Sequence, residues 1–117
     1  MGVWVYIEPS SALFPATVQA TSVHHLVNVK AKRLAFKVKT SNNEQYSVRP
    51  VFGFLDPNRY EKFEVQKMIG PPTEDKIIVQ YIEVSDMIEN PRTPFLPEYI
   101  DYRGSGIKEV VLLVKAT

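Results

Sequence analysis

Nine prolines are spread along this chain of 117 residues, and between them no stretch keeps the 3.6-residue apolar rhythm of a helix. A proline inside a helix removes a backbone donor and clashes with the preceding turn, so the prolines and the missing helical rhythm together argue against long helices. Runs rich in β-branched and aromatic residues fill the gaps instead. They read as strands at Val3 to Ile7, Val23 to Lys30, Arg33 to Thr40, Tyr46 to Phe52, Tyr60 to Ile69, Asp75 to Val84 and Ile107 to Lys115. Turn chemistry separates most of them: Ser10-Ser11, Ser41-Asn42-Asn43, Asp56-Pro57-Asn58 and Gly70-Pro71-Pro72. Seven short strands with no intervening helix predict an all-β fold, a seven-stranded immunoglobulin-like β-sandwich.

The length suits one domain, residues 1–117, with a core of its own. Candidates for that core are Phe36, Val38, Tyr46, Val48, Phe63, Val65, Ile77, Val79 and Leu112. The short-loop pattern breaks between Ser85 and Gly106, where Pro91, Pro94, Pro97, Gly104 and Gly106 accompany Phe95, Tyr99, Ile100 and Tyr102. Loops beyond about 12–15 residues are uncommon in compact domains and are often functional; the aromatics here imply docking, onto the domain's own edge or onto a partner.

Several function classes fall away. Lys and Arg number 14 against 13 Asp and Glu, so the chain lacks the basic excess of a nucleic-acid binder. There is no cysteine, which removes disulfides and thiolate chemistry together. No leader or membrane-spanning stretch is evident. Met1-Gly2 resembles a myristoylation start, but Tyr6 stands where that signal takes Ser or Thr. These features suggest a soluble cytoplasmic protein without cofactor. His24-His25, as neighbours in a strand, point to opposite faces and cannot share a metal. Glu74-Asp75 fits a solvated or lysine-paired acidic spot in a turn better than a catalytic dyad.

Alternation sets the faces of "LAFKVKT". Leu34, Phe36, Val38 and Thr40 share one side; Ala35, Lys37 and Lys39 share the other. In "EDKIIVQYI", inward Ile77, Val79 and Tyr81 leave Lys76, Ile78 and Gln80 outward, placing an apolar side chain beside a cation.

Three pieces of this region, Phe36-Lys37-Val38-Lys39-Thr40, Tyr46-x-Val48-x-Pro50 and Gly53-x-x-Asp56-Pro57, with Leu26-x-Asn28 before them, resemble the major sperm protein domain family. The resemblance runs from Ile7 to the final strand and is strongest between Leu34 and Pro57. Ser41-Asn42-Asn43-Glu44 and Gly70-Pro71-Pro72 look closest to the small nematode sperm-specific proteins. The long 85–106 loop departs from the pattern. The resemblance implies a non-catalytic cytoplasmic module of the sperm filament and motility system that associates with itself or with related domains, and a cis bond at Pro50, with Pro9 a second candidate. It further implies that Lys39, Thr40, Ser41, Lys76 and Ile78 correspond to positions where membrane-anchored members hold an acidic peptide with two aromatics, the FFAT motif. The alternative function is therefore a soluble adaptor for such peptides. "EYIDY", Glu98 to Tyr102, loosely matches that ligand chemistry and could dock across the Lys39, Thr40 and Lys76 face of another subunit.

Overall fold

A computed structural model describes residues 4–97 and 106–117. Among these residues nine strands form two packed sheets: β1 (Val5–Glu8), β2 (Ser11–Phe14), β3 (Ala20–Asn28), β4 (Leu34–Thr40), β5 (Tyr46–Arg49), β6 (Phe52–Leu55), β7 (Tyr60–Lys67), β8 (Thr73–Glu83) and β9 (Lys108–Ala116). One sheet runs β1-β3-β7-β5; the other runs β2-β9-β8-β4-β6. The all-β sandwich stands, but the expected count of seven strands becomes nine. One addition, β2, follows Pro9, and the other comes from division of the expected Tyr46 to Phe52 strand at Pro50. Pro9 and Pro50 both follow cis peptide bonds, and at each the chain leaves one sheet and enters the other. The expected first strand is β1, the expected Ser10-Ser11 turn leads into an unexpected β2, and the Tyr46 to Phe52 strand becomes β5 and β6.

The inward rows of both sheets make the main core. Phe36, Val38, Tyr46, Phe63, Val65, Ile77, Val79 and Leu112 are buried as the alternation requires, whereas Val48 is only partly covered. Among the described residues three polar side chains are buried, those of His24, Asn28 and Lys67. His24 stacks on Phe63 with ring centroids 5.5 Å apart. Its Nδ1–H donates to the Pro9 carbonyl at 2.7 Å, which leaves Nε2 to accept from the Ser22 hydroxyl at 2.8 Å. Lys67 continues the inward row of Phe63 and Val65, and its buried ammonium donates to the Ala16 and Met68 carbonyls. That contact ties the loop before β3 to the loop after β7.

A second apolar cluster lies outside the sandwich. Val84 and Phe95 pack with Ala35 and Ile82, and the cluster includes Phe52, Phe54, Ile88 and Ile107. The segment after β8, with a 3₁₀ turn at Thr93–Phe95, is therefore a strap over the outer face of β8, β4 and β6. Arg33 anchors it: Nη1 donates to the Ser85 and Ile88 carbonyls at 2.9 Å each, and the guanidinium sits 3.7 Å above the Phe54 ring. The expectation that the loop's aromatics dock is met within the domain for Phe95. The Glu98 to Tyr102 stretch lies outside the described residues.

Candidate interface on the five-stranded sheet

Among the described residues the strap covers one half of this outer face and leaves the other half open. Strand register fixes its layout. Lys39 stands opposite Ile78, which stands opposite Val111; Lys76 stands opposite Leu113, which is level with Ser11; Glu74 stands opposite Lys115, which is level with Leu13. Leu13, Leu113 and Val111 are 70, 57 and 40% exposed. With half-buried Ile78 they form an apolar strip across β2, β9 and β8, and a recess of about 540 Å³ lies along it, lined by Leu13, Leu113, Lys76 and Lys115 among others.

Charge frames the strip unevenly. Lys115 pairs with Glu74 at 3.3 Å, and Gln80 donates to Glu109 at 3.1 Å. Among the described residues Lys37, Lys39 and Lys76 have no ion pair. Glu74 thus behaves as the lysine-paired acid expected of it. Asp75 instead accepts from the Thr73 and Ser41 hydroxyls and the Asn42 amide. Partial burial pushes its carboxyl upward, but these three donors outweigh that effect and hold it below the usual carboxylate range.

Lys39, Lys76 and Ile78 meet on one face, as the family resemblance implied. Thr40 does not join them: it shares the side of Phe36 and Val38, pairs with Ile77, and its hydroxyl accepts from the Asn42 N–H at 3.0 Å. The Ser41 hydroxyl is also engaged, accepting from the Lys76 N–H at 2.9 Å while donating to Asp75 at 3.2 Å. These hydroxyls close the β4–β5 turn onto β8. Of the strip's apolar residues sequence reasoning found Ile78 and missed Leu13, Val111 and Leu113, although inward Leu112 fixes Val111 and Leu113 as outward by alternation. Leu13 gave no such signal, because β2 was not recognised as a strand.

The model of the MSP (major sperm protein) domain matches residues 5–96. This chain belongs to the major sperm protein domain family. Sperm-specific class P protein 31 of Caenorhabditis elegans is 46% identical over 91 residues, covering 78% of this chain and 84% of that protein. Sperm-specific class P protein 32 of the same organism is 47% identical over 89 residues, 76% of this chain and 82% of the relative. Among solved structures, WR4, a C. elegans MSP family member, superimposes with a TM-score of 0.87 at 36% identity, covering 99% of this chain and 100% of the other. SSP-19, an MSP-domain protein like family member in the same organism, gives 0.83 at 30% identity over 95% and 97%. The sequence resemblance is thereby established as kinship.

Proposed function

We propose that this MSP domain is a non-catalytic interaction module of the sperm cytoplasm, associated with the filament and motility system, which binds copies of itself or related domains through the open half of its five-stranded sheet. The apolar strip Leu13, Leu113, Val111 and Ile78 carries the reading. Exposed apolar side chains scattered singly need no explanation, but a contiguous set rimmed by charge marks contact surfaces. The face is also self-complementary. A two-fold axis crossing β9 at Leu112 would set Leu113 of one copy against Val111 of the other and Lys115 against Glu109, as a closed dimer requires. Sedimentation across a concentration series tests this. The native chain should associate, and Leu113→Asp should remain monomeric at unchanged melting temperature. A native chain that is strictly monomeric and retains no protein from sperm extract would refute the reading.

One observation favours the alternative of a soluble adaptor for acidic aromatic, FFAT-like peptides: Lys39 and Lys76 flank Ile78 without ion pairs among the described residues. Against it, the Thr40 and Ser41 hydroxyls are already engaged. Titration with such a peptide at two salt concentrations separates the readings. Binding that weakens with salt and vanishes in Lys39→Asp or Lys76→Asp would support the adaptor.

A further inference from the structure

The geometry points to a second docking site, on the outer face of the four-stranded sheet, for a proline-rich extended segment of a partner protein that carries a basic residue beside its prolines. This site is on the other side of the sandwich from the Leu113 strip and does not depend on self-association. Its basis is a row across three strands: Tyr6 of β1 stands opposite Val27 of β3, which stands opposite Tyr60 of β7. With neighbouring strands about 4.8 Å apart, the two tyrosines rise about 10 Å from each other with Val27 as the floor. A recess of about 250 Å³ lies there, lined by Tyr6, Glu8, His25, Val27 and Tyr60. The His25 ring meets Tyr60 edge-on, with centroids 5.1 Å apart at 88°, and braces that wall. Cross-strand aromatic rows can simply stabilise a sheet through contact. Here, however, Tyr60 is 64% and Tyr6 42% exposed, so much of that contact is forgone.

The recess suits a polyproline II helix. Such a helix is stiff before binding, leaves its carbonyls free for tyrosine hydroxyls, and docks prolyl rings on aromatic walls. It advances about 3.1 Å per residue, so prolines three apart are separated by about 9 Å, near the spacing of the two tyrosines. An extended β-strand places same-face residues about 6.7 or 13 Å apart and misses that spacing; an α-helix comes near it with residues two turns apart, about 10.5 Å, but its carbonyls are held in its own hydrogen bonds and are not free for the tyrosine hydroxyls. Charge sets the direction of the occupant. Glu8, next to Tyr6 on the same face of β1, has no ion pair among the described residues, and Lys62 lies across the row beyond His25. A cation on the ligand is therefore favoured at the β1 side and disfavoured at the β7 side.

The test is a titration of ¹⁵N-labelled protein with the peptide acetyl-Pro-Ala-Leu-Pro-Ala-Leu-Pro-Arg-amide, beside one control with alanine for every proline and another with Glu for Arg. Saturable shifts at Tyr6, His25, Val27 and Tyr60 are expected. Tyr60→Ala or Tyr6→Ser should weaken binding at least about tenfold at an unchanged melting temperature, while Tyr60→Phe keeps most of it. Glu8→Gln should abolish the preference for Arg over Glu. The native protein alone can overturn the inference: no saturable shift at millimolar peptide, equal binding of the all-alanine control, or shifts centred on Lys39 and Leu113. Undiminished binding by folded Tyr60→Ala would also overturn it.

Discussion

Asn28 offers a sharp test of how the sandwich end is held. It is buried at the close of β3, and its amide Nδ2 donates to the carbonyls of Lys32 at 2.8 Å, Asp56 at 3.0 Å and Leu55 at 3.2 Å. Its Oδ1 accepts from the Lys30 N–H at 2.8 Å. One side chain thus closes the β3–β4 turn and fastens it to the β6–β7 turn. In Asn28→Ala the buried Leu55 carbonyl is left without that donor, a loss of about 1–3 kcal/mol; the other three partners reach water and lose about 0.5 kcal/mol or more each. The sum is about 3 kcal/mol, or roughly 12–15 °C in melting temperature for a domain of this size. Urea melts at pH 7 measure it. Asn42→Ala is the comparison, because its side chain serves the exposed Glu44 and partly covered Gln45 amides and Asp75 and should cost only about 1 kcal/mol. Asn28→Asp adds a signature: an ionised carboxylate can only accept, so it should be worse than alanine at pH 7 and recover as acid restores a donor. A loss below about 1 kcal/mol for Asn28→Ala, or one equal to that of Asn42→Ala, would refute the reasoning.

Burial, opposed by the Pro9 carbonyl and aided by neighbouring His25, lowers the affinity of His24 for a proton. The unfolded chain therefore protonates first. Stability should be level above neutrality, fall as pH drops below about 6.5, and fall less in His24→Gln; urea midpoints between pH 7.5 and 5 check this. A Cβ at Gly53 would lie 2.6 Å from the Phe36 ring, so Gly53→Ala should cost about 1–3 kcal/mol by overpacking, and Phe36→Leu in that background should recover part of the loss. Phe95→Ala should release the strap without unfolding the sandwich, because Phe95 belongs to the outer cluster and not to the main core. Hydrogen exchange should quicken at Val84, Ile88 and Leu96 while β3 and β7 keep their protection.

Alternation made the strand faces legible. Burial of Phe36, Val38, Ile77 and Val79 with Lys39 and Lys76 outside follows from period-two patterning, because a one-residue slip would put the apolar set in water. Thr40 shows the limit of reading by proximity: it adjoins Lys39 in sequence and therefore lies on the opposite face. What was not legible depends on contacts between distant residues. Ser41 and Asn42 meet Asp75 across more than thirty residues, and Lys67 occupies an inward position only because the Ala16 and Met68 carbonyls receive its ammonium. Composition marks that lysine as a surface residue. β2 was hidden because Ser10-Ser11 reads as a turn, and its parallel pairing with β9 has no local signature.

The two outer faces differ from the core in what they ask of a side chain. Inward positions such as Phe36, Ile77 and Leu112 are almost fully covered, so a change there alters packing and stability together. Leu113 and Tyr60 stand mostly in water, and substitutions at such positions usually change stability by no more than about 0.5 kcal/mol. Side chains at either face can therefore be changed to test the two proposed contacts while the sandwich is held by the core, by Asn28 at one end and by the Asp75 and Lys67 contacts at the other. The strap limits this freedom on one side. By anchoring through Arg33 and Phe95 it covers Ala35 and Ile82 and partly covers Phe54, so that among the described residues the Leu13–Leu113–Val111–Ile78 strip is the apolar surface left for the proposed partner. An apolar face running the whole length of β8 would invite unspecific association; half a face, bordered by paired and unpaired charge, would give the proposed partner both a boundary and a register.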